Sequence, residues 1–273
     1  MNAFCASLKN NLIFDDKKTY VMGILNVTPD SFSDAQNFFE PKKALKRAIQ
    51  MQEEGADIID IGAQSTRPGF IKIDEKIEWE RLSPVLRLVR KRIDLPISID
   101  TFYPCIAEKA IKLGADIIND VTGFVNEKML NLSSTSNISL ICMHNKALNK
   151  TRSFFEDSFQ KFKKAGIKKE KICFDPGVGF GKTVTENLRI IKNPTVYCPK
   201  ETFVLVGISR KRVTALACEK NTPANQRLGA SIAANIISAL NGTNILRVHD
   251  VKETVQALKM LKLIKEIQSD VRN

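Results

Sequence analysis

Gly55-Ala-Asp-Ile-Ile-Asp60 returns later in the chain as Gly114-Ala-Asp-Ile-Ile-Asn119, and each copy reads as a helix stop, a short turn and a strand. The glycine stands where a helix ends in the left-handed conformation, which a residue without a side chain enters at no steric cost. Gly166 and Gly242 hold the same place before apolar runs near 171 and 244. Around these units eight short runs rich in branched residues alternate with longer amphipathic ones. The strand candidates are 20–26, 56–61, 95–100, 115–119, 138–143, 171–175, 202–207 and 244–248. Most are continuously apolar, as parallel strands buried on both faces are. Between them the spacing predicts helices such as 42–54, 104–113 (with Pro104 at its first position) and 252–267. No linker or shift in composition divides residues 1–273. One α/β domain is therefore expected, a closed (β/α)8 TIM barrel. A doubly wound open sheet would carry a glycine-rich turn after its first strand, and Thr28-Pro29-Asp30 stands there instead.

Composition narrows the function classes. Hydrophobic residues are 43% and charged residues 26%, a globular balance. The net charge is +12, yet Lys and Arg are scattered over the helical runs and aromatics are only 7%. That pattern fits a solvated basic surface, or a cleft that attracts anionic substrates, better than nucleic-acid binding. The six cysteines form no CxxC pair, and Cys142 and Cys173 sit inside apolar runs. Reduced thiols in a cytoplasmic protein are expected. The opening MNAFCASLKNNLIF carries no signal-peptide pattern, and no apolar run approaches the ~20 residues of a membrane span.

Chemistry gathers at the ends of the predicted strands. In order they finish in or run into Asn26, Asp60, Asp100, Asn119, Met143 with His144, Asp175, Ser209-Arg210-Lys211, and Arg247 with His249. A lone Asp or Asn there is as readily a helix N-cap as a ligand. A polar residue at nearly every strand end is a different matter, because in a barrel these positions ring one mouth. Lys182 and Arg210 each have a second reading as a solvated cation at a helix end, and for Arg210 that is the reading preferred.

Two loops are long for a compact barrel, 27–40 and 62–74, and their aromatic and Arg content suits lids or binding segments. The run Asp175-Pro-Gly-Val-Gly-Phe-Gly-Lys182 matches neither a Walker loop nor GxGxxG. Its glycines are expected to let backbone approach a flat ligand near Asp175 and Phe180. Arg247 and His249, with Asn26 nearby, suit a phosphate or pyrophosphate.

Taken together, GILNVTPDSFSD (23–34), STRPG (65–69), SIDTF (98–102), IINDVTGF (117–124), DPGVGFGKT (175–183), VGISRK (206–211) and RVHDVKET (247–254) closely resemble the dihydropteroate synthases of folate biosynthesis, in the family's order. The resemblance implies condensation of 6-hydroxymethyl-7,8-dihydropterin pyrophosphate with p-aminobenzoate, through a delocalised pterin cation. It places Asp100, Asn119, Asp175 and Lys211 in the pterin pocket with Met143 nearby, and Asn26, Arg247 and His249 on pyrophosphate. Asn26 would also ligate Mg2+. Phe32, Ser65, Thr66, Arg67, Pro68, Phe180, Ser209 and Lys211 would take p-aminobenzoate, and Asp34 would order the loops. The catalytic set so implied is Asp100, Asp175, Lys211 and Asp34, in a homodimer with small-molecule substrates. One departure stands out: Gln64 replaces the glutamate that commonly precedes STRP in the family. A pterin-dependent methyltransferase would need the pterin acids but not STRPG, SRK or RVHD, and an inactive paralogue would have no use for an intact pyrophosphate set.

Overall fold

The computed structural model describes residues 2–7, 12–28, 41–64 and 71–270. In chain order the elements are β1 (Ala3–Ser7), β2 (Leu12–Asp15), β3 (Tyr20–Asn26), α1 (Pro41–Glu53), β4 (Ile58–Gly62), α2 (Glu75–Arg90), β5 (Ile97–Asp100), α3 (Pro104–Lys112) and β6 (Ile117–Asp120). There follow α4 (Glu127–Thr135), β7 (Ser139–Met143), α5 (Thr151–Lys164), β8 (Ile172–Asp175), α6 (Val184–Lys192), β9 (Phe203–Val206), α7 (Leu228–Leu240), β10 (Ile245–Val248) and α8 (Val251–Asp270). Strands β3 to β10 close a parallel barrel in sequence order. The seam is the pairing of β10 with β3, Leu246 opposite Val21. The (β/α)8 TIM barrel expected from the alternation is thus the architecture observed.

Each expected helix stop holds. Gly55 and Gly114 take φ of 95° and 100°, where a β-carbon would be strained. The capping signals work as chemistry too. Asp74 accepts from the Lys76 N–H at 2.8 Å to start α2, and Thr183 with Glu186 forms a capping box on α6.

The barrel's interior is decided by strand periodicity. Alternate residues face the helices, so Ile59, Ile97, Ile99, Ile118 and Cys142 join the core between strands and helices. The other set faces the axis, where Tyr20, Met22, Ile58, Ile117, Ile141, Cys173, Phe203, Leu205 and Ile245 form a second apolar cluster. Two residues further along the same strands this inward set turns polar: Ile58 is followed by Asp60, Ile117 by Asn119, Cys173 by Asp175 and Ile245 by Arg247.

An element unforeseen in the sequence closes the other end. The antiparallel pair β1–β2 sends Phe4, Ala6 and Phe14 into the interior cluster. Phe4 stacks on Phe203 at 5.6 Å and Phe14 on Tyr20 at 3.8 Å. Polar anchors tie the pair to the barrel: Ser7 Oγ donates to Asp116 Oδ1 at 2.6 Å, and Ser139 Oγ to the Cys5 carbonyl.

Candidate active site

The C-terminal mouth is built around a buried ion network. Arg247 on β10 donates from Nε to Asp60 Oδ2 at 2.7 Å and from Nη2 to Asp100 Oδ2 at 2.8 Å. Asp60 also accepts from Ser98 Oγ at 2.6 Å and, more distantly, from Asn119 Nδ2 at 3.4 Å. Asp100 and Asn119 are 5% and 4% exposed. Asp100 Oδ1 is buried with no hydrogen-bond partner among the described residues. Leaving such an acceptor unpaired costs about 1–3 kcal/mol, so the atom reads as a socket for a ligand N–H. Burial pushes the Asp100 carboxyl up to about 7, against the pull of Arg247.

Across the mouth stand Asp175 and Lys211. Burial raises the Asp175 carboxyl above its ordinary range, opposed by the Lys211 charge and by the Gly177 N–H, which donates to Oδ1 at 2.8 Å. Burial likewise lowers the Lys211 ammonium to about 8, with Asp175 pulling the other way. Lys211 Nζ donates to the Val178 carbonyl at 2.6 Å and lies 4.6 Å from the centre of the Phe180 ring. The mouth therefore presents two buried acids, an amide, a lysine and an arginine from five different strands or their following loops. Such a set can pair with the edge of a flat heterocycle carrying adjacent donors and acceptors.

The glycines of 175–182 serve a different purpose from the one expected. A β-carbon at Gly177 would lie 2.1 Å from the His144 carbonyl oxygen, at Gly181 2.7 Å from that of Asn145, and at Gly179 3.0 Å from Lys211 Cδ. All three have positive φ. They let this loop press against the loop after β7 and against Lys211, and no ligand is needed to explain them. Of the two readings open for Lys182, the solvated cation is excluded. Its ammonium donates to the carbonyls of His144, Lys146 and Phe180 at 3.0, 2.9 and 3.1 Å, locking the two loops together. Arg210 is not free either, since it forms a two-pronged ion pair with Asp250. His144, at a strand end by sequence, is 3% exposed and fixed by Thr151 Oγ1 at 2.8 Å. Burial, with the charges of Lys182 and Lys146, lowers it to about 4, so it is neutral and structural.

His249 Nδ1 lies 3.2 Å from Ser209 Oγ, which links the expected pyrophosphate and p-aminobenzoate residues. Asn26 ends β3 half-buried, in register with Gly62 of β4, and Gly62 pairs in turn with Asp100. Met143 ends β7 at 3% exposure, opposite Asp175. Phe32, Asp34, Ser65, Thr66, Arg67 and Pro68 lie outside the described residues.

Two contributors escaped the sequence reading. Asp60 was visible as a strand end but was given no role, and the period-two alternation that places Ile58 inside also turns Asp60 inward. Glu78 on α2 carried no signal at all. It is 1% exposed, accepts from Thr101 Oγ1 at 2.6 Å, and burial pushes its carboxyl up to about 7. Beside it, Gln64 Oε1 accepts from the Ile73 N–H at 2.6 Å and Tyr103 Oη donates to the Ile73 carbonyl at 2.6 Å. Gln64 thus bridges the two ends of the second long loop with its amide oxygen.

Among the described residues no group of three or more His, Cys, Asp or Glu side chains is placed to hold a metal ion.

The comparisons with known proteins point to the class of enzyme that carries such a mouth. Residues 22–249 match the pterin binding enzyme family, and the chain belongs to it. More particularly, its relatives are dihydropteroate synthases. It is 38% identical to that of Clostridium beijerinckii over 91% of this chain and 95% of the relative. It is also similar to the Xanthomonas albilineans dihydropteroate synthase solved with 4-aminobenzoic acid, at 33% identity and a TM-score of 0.89 over 97% of this chain and 98% of that one. The Clostridium difficile dihydropteroate synthase, solved in the presence of pteroic acid, has 38% identity and a TM-score of 0.86 over 92% and 98%.

Proposed function

We propose that this chain carries out the dihydropteroate synthase reaction as an enzyme of folate biosynthesis. It joins 6-hydroxymethyl-7,8-dihydropterin pyrophosphate to p-aminobenzoate and releases pyrophosphate. The observation that carries the reading is the unpartnered, buried Asp100 Oδ1 beside Asn119, Asp175, Lys211 and Arg247, in a member of the pterin-binding family. In this reading the C–O bond to pyrophosphate breaks first, the electron pair leaves with the diphosphate, and the pterin methylene becomes cationic. Asp100 and Asp175 face that charge. In this buried, low-dielectric setting their ionised carboxylates act strongly on a cation between them, with no proton transfer required. The amine of p-aminobenzoate then attacks the methylene carbon and loses a proton.

Asn119, Met143 and Lys211 position the pterin. Arg247, His249 and Asn26 receive the diphosphate. Mg2+, when bound at Asn26 and the phosphates, would supply charge neutralisation for the leaving group. Phe180, Ser209 and Lys211 border the p-aminobenzoate site, which Phe32, Ser65, Thr66, Arg67 and Pro68 complete, with Asp34 ordering the loops. Residues 1–273 act as one catalytic domain. Two copies of this chain pair through the apolar faces of neighbouring helices, a reading supported by exposed Leu188 on α6, Ile237 and Leu240 on α7, and Met260 and Leu263 on α8. A cytoplasmic site is supported by six free cysteines. No helix among the described residues is long and apolar enough to cross a membrane.

The test mixes purified protein with dihydropterin pyrophosphate, p-aminobenzoate and Mg2+ and follows pyrophosphate release. Dihydropteroate formed with equal pyrophosphate is the expected result. Release no faster than without protein would sink the reading.

A further inference from the structure

Asp60 has the most completely satisfied carboxylate of the mouth. It is 0% exposed, so no ligand reaches it. Its four-way setting joins four strands: Asp60 lies on β4, Ser98 on β5, Asn119 on β6 and Arg247 on β10. Ser98 holds Oδ1 at 2.6 Å and Arg247 Nε holds Oδ2 at 2.7 Å. The same guanidinium reaches Asp100 through Nη2 at 2.8 Å. Its Nη1 makes no hydrogen bond to any described residue, although the side chain is 18% exposed.

A guanidinium presents its N–H groups on fixed edges of a rigid plane. Fixing Nε on Asp60 and Nη2 on Asp100 therefore fixes where Nη1 points. We infer that Asp60 is a positioning residue for the reaction: it pins Arg247 across the mouth so that one edge of the guanidinium holds the pterin acid Asp100 while Nη1 is presented to the diphosphate of the same substrate. This rests on the roles given to Asp100 and Arg247 under the proposed function. The alternative, that Asp60 is only a buried anchor for the barrel, predicts lost stability without selectivity for the diphosphate. Asp60 also touches Asn119 at 3.4 Å, but that contact is long and weak beside the 2.7 Å charged bond.

The experiment measures two affinities by calorimetry, for pyrophosphate with Mg2+ and for 6-hydroxymethylpterin, which lacks the diphosphate. Asp60→Asn keeps the shape and can still pair with Ser98 and Arg247. It is expected to weaken pyrophosphate binding about tenfold or more, while the pterin probe changes by no more than about threefold. In an Arg247→Lys background the same Asp60→Asn change is expected to add less than about twofold, because the two residues act as one unit. Equal losses for both probes, or equal losses in both backgrounds, would overturn the inference. If Asp60→Asn does not fold, the wild-type protein still decides it by NMR. The Arg247 Nε–H signal, identified by its absence in Arg247→Lys, should remain protected from exchange when pyrophosphate and Mg2+ bind. Loss of that protection would mean that Arg247 leaves Asp60 to meet the anion. Wild-type protein that binds neither probe would instead count against the proposed function itself.

Discussion

The two ends of the barrel are made from the same strands and have opposite chemistry. On β4, β6, β8 and β10 a single inward step, Ile58 to Asp60, Ile117 to Asn119, Cys173 to Asp175 and Ile245 to Arg247, separates an apolar contact from a polar one. That step is about 6.6 Å along a strand. At the closed end the polar groups are paired, as Ser7 with Asp116, and aromatic rings fill the axis. At the open end Asp100 Oδ1 is left without a partner among the described residues. Stability is concentrated where nothing has to be bound. The closed end carries buried charge too, but there Arg90 pairs with Asp116 at 3.0 Å, whereas the unpaired acceptor at the mouth stands where a ligand can offset its cost.

If the division is real, truncation at the closed end should damage the fold and spare the chemistry. Phe4→Ala removes a fully buried ring from the plug and should lower unfolding free energy by about 3–5 kcal/mol in urea titrations. Turnover per folded molecule should stay near wild type. A large fall in turnover at unchanged stability would erase the distinction between the ends.

The converse change is Asp100→Asn. It should lower the rate of pyrophosphate release by roughly a hundredfold or more while leaving the melting temperature within a few degrees. A wild-type rate would remove the acid's role toward the pterin cation.

Titration sharpens the contrast further. Lys211 is charged below its pKa of about 8 and neutral above it. Pterin affinity that uses the charge is therefore full below pH 8 and falls by up to about tenfold per unit above it. Lys182 is also lowered to about 8 by burial, but it is occupied by three carbonyls. The fall should persist in Lys182→Met and vanish in Lys211→Met, as read by fluorescence titration of 6-hydroxymethylpterin.

The smallest effect belongs to Gln64→Glu. A carboxylate there keeps the acceptor for Ile73 but adds charge at a position 5% exposed. The apparent KM for p-aminobenzoate should move by about twofold to fivefold, with pterin affinity unchanged. An effect on pterin alone would detach the second long loop from the p-aminobenzoate site.

The barrel was legible because its strands carry continuous apolar runs between glycine-ended helices, a signal local enough to read. β3, written as 20–26 from sequence, keeps those bounds. The β1–β2 pair escaped because its two short segments acquire meaning only when Phe4 meets Phe203 across the chain. Asp100, Asn119, Asp175 and Arg247 could be singled out because they stand at or beside strand ends, and Lys211 because it lies in the loop after β9; the structure brings these five to one mouth. Partnerships could not be singled out. Nothing near Lys182 announces three distant carbonyls, nothing near Arg210 announces Asp250, and Glu78 lies on a helix that faces β5 only after folding.

The aromatic plug has one more consequence. Its rings, with the side chains that fill the axis, leave Asp100 approachable only from the mouth, so in the proposed reaction a group bound against Asp100 enters and leaves by the same side.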